Sequence, residues 1–350
     1  MKKRFEQYHL DRRDFLKMSG LLGLAAASTG IIPACNESVK FDKRTYKISK
    51  TKLAIGSFVT MTLIHPSKDK AEEAIDLAYE EIARLEGLLN RFDRNSPLAR
   101  LNKEENLKDL PPDLQNVIST SLQYYQLTNG AFDITVAPIV DYYKEEFTKN
   151  RLMSLNEQEI QMLLKRVDAR KIHMDKRSIT FQEAGMSITL DGVAAGYIVD
   201  RAAEILAKHE IEHFLINGSG EIRTMGRTEK NKPWRIAIQD PFKKGNYPDQ
   251  IEMNNGALAT SGNYEVYFDR EKIFHHIVNP RTGSSPRQSV SVTVSGETAV
   301  QADALSTSVF VMQPGPGIHF INNLLPRCAA LVVTKEGRIL KSKAWKSAIA

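Results

Sequence analysis

The stretch T-L-D-G-V-A-A-G-Y-I-V-D, Thr189 to Asp200, lies where an apolar strand pattern gives way to a helical one, and its reading decides what kind of fold surrounds it. Asp191 and Gly192 suit a turn, and Gly196 suits close packing of the helix that follows. The same residues suit an anion site. The first turn of a helix offers a run of free backbone N–H groups and the positive end of its dipole, and glycine leaves room for a phosphate. Both readings stand at this point. The fingerprints G-x-x-x-x-G-K-[ST] and G-x-G-x-x-G are absent from the chain, so an anion bound here sits in neither a P-loop nor a dinucleotide-binding unit.

Outward from this stretch, the periodicity mixes strands and helices. Tyr46 to His65 alternates as two strands around Gly56, with F-V-T-M-T-L-I from Phe58 to Ile64 the clearest. Ala71, Ile75, Ala78, Ile82, Leu85 and Leu89 recur three or four apart and predict an amphipathic helix. Further helices are expected over Pro112 to Leu127, Leu155 to Val167, Ala194 to His209 and, last, Ala299 to Met312. Short strands with turns begin at Ile172, and Leu331 to Leu340 reads as a hairpin. The pattern predicts one compact α+β unit of mainly antiparallel sheets flanked by helices.

The chain has 350 residues, 42% of them hydrophobic, enough to bury a large core. Residues 1–35 are set apart by a basic start, R-R-D-F-L-K from Arg12, and an apolar run ending in I-I-P-A-C at Cys35. They read as a twin-arginine export signal that is removed, ending in a lipobox-like sequence in which Pro33 is uncommon; lipidation of Cys35 is the expectation, with cleavage nearby by an ordinary signal peptidase as the alternative. Periplasmic exposure on a lipid tether is the implied location. Residues 36–45 read as the tether, and 46–350 as the folded domain. The signal holds six Lys/Arg and three Asp/Glu, so half of the formal +6 charge leaves with it. The remainder is too small and dispersed to argue for nucleic acid. Cys328, the other cysteine, reads as a core hydrophobe.

Three further segments could carry chemistry. N-G-S-G-E from Asn217 supplies glycines where a backbone approaches a ligand, or simply turns a hairpin. H-H-I-V-N-P-R-T-G from His275 ends a strand in a Pro/Gly turn. It places His276 near Arg281 and Thr282, a setting for an acid or base beside a phosphate. A-D-A-L-S-T-S from Ala302 puts Asp303, Ser306 and Thr307 on one helical face. One carboxylate with two hydroxyls is an all-oxygen set suited to Mg²⁺, although an Asp near a helix start also stabilises the first turn.

Taken in order, the chain resembles the ApbE family of FAD:protein FMN transferases. The matching blocks are I-G-S at Ile55, G-A-F-D at Gly130, L-D-G-V-A-A-G-Y-I-V-D at Leu190 and N-G-S-G at Asn217. T-S-G-N-Y at Thr260, H-I-V-N-P-R-T-G at His276 and A-D-A-L-S-T at Ala302 complete the set. The resemblance runs from about residue 50 to the C-terminus and implies an ApbE-like, T-fold-related architecture. It implies Mg²⁺-dependent transfer of FMN from FAD to a Thr or Ser hydroxyl of an envelope flavoprotein, with AMP released and a phosphoester formed. On that resemblance Asp303 and Thr307 bind Mg²⁺ by side chain, Ser306 and the Gly192 backbone complete its shell, and His276 and Asp303 are the catalytic positions. Ile55, Phe92, Ala131, Phe132, Asp133, Thr189, Ala195 and Ile277 are the FAD-contact positions.

The chain departs from the family pattern inside that set. Thr189 replaces an Asp, Asp191 a Gly, Ala195 a frequent Lys and Asn279 an Asp. An unreplaced charged contact at residue 195 costs roughly 1.5–3 kcal/mol. Asp191 offers a carboxylate two residues along, where the shift is expected to point it elsewhere. The metal set is intact, so an active enzyme with altered FAD handling is expected. Two other readings share the pocket: an FAD pyrophosphatase releasing FMN and AMP, and a lipid-anchored flavin-binding protein without catalysis.

Overall fold

The computed structural model describes residues 37–41, 45–147, 156–218, 220–264, 266–268 and 274–348. The export signal and Cys35 therefore lie outside the described residues.

The architecture starts from a hairpin. Strands β2 (Thr45–Ala54) and β3 (Ser57–His65) pair antiparallel from Tyr46↔His65 to Ala54↔Ser57. Ile55 and Gly56 close the turn with φ of 52° and 71°. Two left-handed residues match the right-handed twist of the strands, which is why a two-residue turn works here. Strand β1 (Glu37–Phe41) pairs with β2. The segment expected to be only a tether thus adds a strand at one edge of the sheet, where backbone pairing with β2 alone holds it in register.

Helix α1 (Lys68–Leu89) begins at Ser67, whose Oγ accepts from the Lys70 N–H at 3.3 Å. All six residues of the expected stripe are buried. Fully burying Ile75, Ile82 or Leu85 contributes about 2 kcal/mol each. Helices α2 (Pro97–Glu104), α3 (Pro112–Leu127), α4 (Ala137–Glu145) and α5 (Glu157–Leu164) follow, with a small sheet of β4 (Asn106–Lys108), β5 (Ile172–Met174) and β6 (Ser178–Phe181). The helix expected over 155–167 is therefore shorter.

After α6 (Ala194–Lys208) come β7 (Phe214–Gly218), β8 (Glu221–Met225), the separate pair β9 (Trp234–Ala237) and β10 (Gln250–Met253), β11 (Gly256–Gly262) and β12 (Ser289–Gly296). Helix α7 (Ala299–Met312) precedes α8 (Pro314–Leu324) and the expected hairpin, β13 (Ala329–Thr334) with β14 (Ile339–Lys341). The main sheet runs β1-β2-β3-β7-β8-β11-β12-β13-β14 and its pairings are antiparallel, as the sequence pattern predicts.

Helix α7 is not the last, as the sequence led us to expect. The run Pro314-Gly315-Pro316-Gly317 looks like a breaker, yet proline is tolerated in a first turn that has no N–H partners to lose. An ideal Cβ on Gly317 would lie 2.7 Å from Val309 Cγ1, so glycine there lets α8 lie against α7. Helix α7 itself is buried on nearly every side, between the sheet at β11 and β12 and its neighbours α6 and α8. A helix so enclosed has no polar stripe, and any polar residue on it needs a specific partner. No helix among the described residues is long and apolar enough to cross a membrane.

Candidate active site

The loop before α6 and the middle of α7 meet at Gly192. The Thr189 N–H donates to Ile134 O at 2.8 Å and the Thr189 Oγ1 accepts from the Asp191 N–H at 3.3 Å, which fixes the loop. An ideal Cβ on Gly192 would lie 2.9 Å from Thr307 Oγ1 and 3.3 Å from Phe132 Cε2. Only glycine leaves that space open. Thr307 Oγ1 is 3.0 Å from Ser261 Oγ, which is also 2.7 Å from Ser306 Oγ. Ser306 donates back to Asp303 O at 2.9 Å, and Asp303 Oδ2 accepts from the Gly196 N–H at 3.1 Å. Gly192, Asp303, Ser306 and Thr307 are thus brought together, with Ser261 of β11 between the two hydroxyls.

The expected run of free N–H groups at the mouth of α6 is corrected by the structure. The N–H groups of Val193 and Ala194 both donate to Leu190 O, at 3.0 and 2.8 Å, and that of Gly196 is taken by Asp303. The loop folds back on itself and a carboxylate from α7 caps the helix, so the opening stretch works as a cap in trans more than as an anion nest.

The donor set fits a hard divalent cation. It offers oxygens only, a cradle that a Cβ at residue 192 would fill, and one carboxylate with a second oxygen left beyond its Gly196 bond. Among the described residues no group of three or more His, Cys, Asp or Glu could hold a metal, so a cation here would complete its shell with water or substrate oxygens. Burial pushes the Asp303 carboxyl well above its ordinary value; the Gly196 N–H pulls it back, and Asp191 and Asp200 add to the rise. A cation beside it reverses that cost.

His276 is half-buried. Its Nδ1 lies 3.0 Å from Val266 O. A carbonyl only accepts, so Nδ1 carries the proton and Nε2 holds the lone pair in the neutral ring. Burial holds the imidazole below its ordinary value, offset in part by that hydrogen bond and by the Asp191 carboxylate. Asp191 is exposed, and its charge acts on His276, Asp303 and Arg91. The two-residue shift thus leaves Asp191 an exposed carboxylate that reaches the site through its field.

The expected flavin positions divide. Phe132 is buried beside Gly192, edge to face with Tyr124 at 6.3 Å. Ala131 and Ile277 pack on one apolar cluster with Leu305 and Val309 of α7. Ile55, in the hairpin turn, donates its N–H to Glu86 Oε1 at 2.5 Å. Phe92 is 40% exposed, with Arg91 and Lys144 4.6 and 4.9 Å from its ring centre. Thr189 is buried and Ala195 half-buried at the loop and helix start. The Asp133 carboxylate turns inward. Its Oδ1 accepts from Thr135 N and Oγ1 at 2.8 and 2.6 Å, and its Oδ2 from Ala169 N at 3.2 Å.

Burial raises the Asp133 carboxyl to about 6 from an ordinary 3.8, against the pull of those donors. A raised folded-state value means that its stabilising contribution is complete below pH 3.8 and is lost as pH rises through about 6. The loss amounts to about 3 kcal/mol. Asp133→Asn should accordingly gain stability relative to the native protein between pH 4 and 7; parallel unfolding curves across that range would refute the buried, inward placement.

Ser261 is the residue that sequence reasoning missed. It stands in T-S-G-N-Y, but nothing in a strand's alternation says which hydroxyl will face a helix 45 residues on. A hollow of 370 Å³ lined by Phe242, Tyr247, Lys335 and Ile339 contains none of the expected site residues.

The fold and this site define an α+β protein in which a glycine turn and a buried helix form an oxygen-lined centre. A family model described as the ApbE family matches residues 55–332, and the chain belongs to that family. Among known relatives, the FAD:protein FMN transferase of Haemophilus influenzae is 26% identical over 93% of this chain and 95% of its own length. That of Escherichia coli is 27% identical over 74% of this chain and 76% of its own. The crystal structure of the ApbE protein of Thermotoga maritima superposes with a TM-score of 0.76 at 28% identity, covering 85% of this chain and 97% of its own.

Proposed function

We propose that this protein is a transferase that moves FMN from FAD to a Thr or Ser hydroxyl of an envelope flavoprotein, forming a phosphoester and releasing AMP. The observation that carries the reading is the meeting of Gly192 with Thr307, Ser306 and Asp303 in a chain of this family. Asp303 and Thr307 by side chain, with Ser306 and the Gly192 backbone, would hold Mg²⁺, which when bound neutralises charge on the phosphate oxygens. His276 takes the hydroxyl proton at Nε2, because Nδ1 is committed to Val266. The hydroxyl oxygen then bonds to the phosphorus on the FMN side as the bond to the AMP oxygen breaks. Phe132, Ala131 and Ile277 wall the flavin nucleotide, and Phe92 offers an exposed ring to stack on it. Export through the Arg12-Arg13 signal and a lipid on Cys35 would place the enzyme beside envelope acceptors.

The test is incubation of the mature protein with FAD, Mg²⁺ and an envelope flavoprotein, followed by mass spectrometry. FMN-bearing acceptor with AMP supports transfer. AMP with free FMN only would favour the pyrophosphatase, and bound FAD without AMP would sink both enzyme readings. The base assignment makes a second prediction. With its value held below 6.5, His276 is neutral at pH 7, so kcat/KM should be flat there and fall about tenfold per unit below that value. His276→Gln should lower turnover about a hundredfold and erase the acid limb; an unchanged limb would assign it to another group.

A further inference from the structure

Two carboxylates tie α6 and α7 together in opposite senses. Asp303 of α7 accepts from the Gly196 N–H in the first turn of α6 at 3.1 Å. Asp200, one turn further along α6, accepts from the first two residues of α7: Oδ1 from the Ala299 N–H at 2.9 Å and Oδ2 from the Val300 N–H at 2.8 Å. The next N–H, that of Gln301, donates to Thr298 Oγ1 at 3.3 Å, and that of Ala302 to Thr298 O at 3.1 Å. The orphan donors at the start of α7 are thereby shared between its own cap and a side chain of the neighbouring helix. Between the two carboxylates the backbones touch, since an ideal Cβ on Gly196 would lie 2.5 Å from Ala299 O.

Asp200 is itself held. Its side chain is 13% exposed, and Arg223 Nε stands 3.3 Å from Oδ1. The Arg223 Nη1 donates to Gly256 O at 2.7 Å, at the start of the strand that carries Ser261. The start of α7, the start of β11 and the body of α6 therefore converge on one carboxylate, and Asp303, Ser306 and Thr307 lie one to two turns beyond it.

We propose that Asp200 is the positioning residue of the cation site: it fixes α7 along its axis against α6, so that Thr307 arrives at Gly192 and Asp303 arrives at Gly196. This rests on the reading of Asp303 and Thr307 as cation ligands. An ordinary cap would stabilise the helix and nothing more. A residue that sets the helix's position also sets the spacing between ligands on α7 and the carbonyl of the loop before α6. Asparagine separates the two roles, because it keeps one acceptor and turns an N–H toward the other α7 donor.

The test uses the mature protein with Mn²⁺ alone as the probe, followed by the loss of the free-ion EPR signal. Ile75→Val, in the core under α1, serves as a variant weakened away from the site. Asp200→Asn is expected to weaken Mn²⁺ binding at least tenfold and to raise the Mg²⁺ concentration for half-maximal turnover by a similar factor, with kcat largely recovered at saturation. Ile75→Val should bind Mn²⁺ as the native protein does, although its unfolding midpoint in EDTA falls. Native-like Mn²⁺ affinity in Asp200→Asn would overturn the proposal, as would an equal loss in Ile75→Val. If Asp200→Asn does not fold, Asp200→Glu decides, since it keeps both oxygens and the charge but moves them by one methylene. Unchanged affinity there would also overturn it. Absence of Mn²⁺ binding in the native protein would remove the cation reading itself, and the proposal with it.

Discussion

Asp303→Asn is expected to lower Mg²⁺-dependent turnover about a thousandfold, or about 4 kcal/mol, without lowering the unfolding midpoint measured in EDTA. The two halves of this prediction come from different features of one side chain. Asparagine is nearly isosteric and its Oδ1 can still accept from the Gly196 N–H, so the link between α7 and α6 survives. What it lacks is the charge. In the native protein that charge is buried, pushed toward its neutral form by the surroundings and repelled by Asp191 and Asp200. Removing it costs the metal-free fold nothing and relieves some of the repulsion. On the proposed cation reading, removing it would leave only hydroxyls and backbone to hold the ion, and Lewis-acid contributions to phosphate chemistry amount to several kcal/mol. Unchanged turnover would refute the cation assignment. A lower midpoint in EDTA would instead show the charge to be structural.

How much of this was legible in the sequence depends on the kind of signal. The stripe of α1 was readable because one face meets the core and the other meets water, which writes a period into the residues. Helix α7 was found at its true bounds, yet through its motif as much as its pattern, since Asp303, Ser306 and Ser308 are as buried as Leu305 and Phe310. The β2–β3 hairpin was marked by Gly56, and Ile55 at positive φ was not foreseeable from a β-branched residue. The family blocks located Gly192 and Thr307 separately. Their contact, and the roles of Ser261 and Asp200, depend on two helices and a strand distant in sequence. The edge strand β1 was hidden because its sequence, E-S-V-K-F, is short and polar enough to read as a linker, and only its pairing with β2 marks it as a strand.

The second large effect concerns one substitution placed at two glycines. Gly196→Ala and Gly87→Ala both replace a helical glycine by the best helix former, which favours the helix by about 1 kcal/mol. At Gly87, in α1, nothing lies within 4 Å of the added Cβ, so the protein should gain about 0.5–1 kcal/mol. At Gly196 the added carbon would lie 2.5 Å from Ala299 O, 2.7 Å from Ala299 C and 2.8 Å from Val300 Cα. These are backbone atoms of a helix start held by Asp200, and no rotamer change can relieve them. Overpacking of this kind costs about 1–3 kcal/mol and at times more, so the sign reverses. The alternative to strain is for α6 and α7 to separate, and that lengthens both carboxylate links and carries Thr307 away from Gly192. Displacement by about 1 Å is enough to cost about a hundredfold in rate. Gly196→Ala is therefore expected to lose both stability and turnover, whereas Gly87→Ala gains stability and keeps native turnover. Chemical denaturation with a parallel activity assay measures both. A Gly196→Ala protein as stable and active as Gly87→Ala would mean that the helices do not cross as closely as this structure has them.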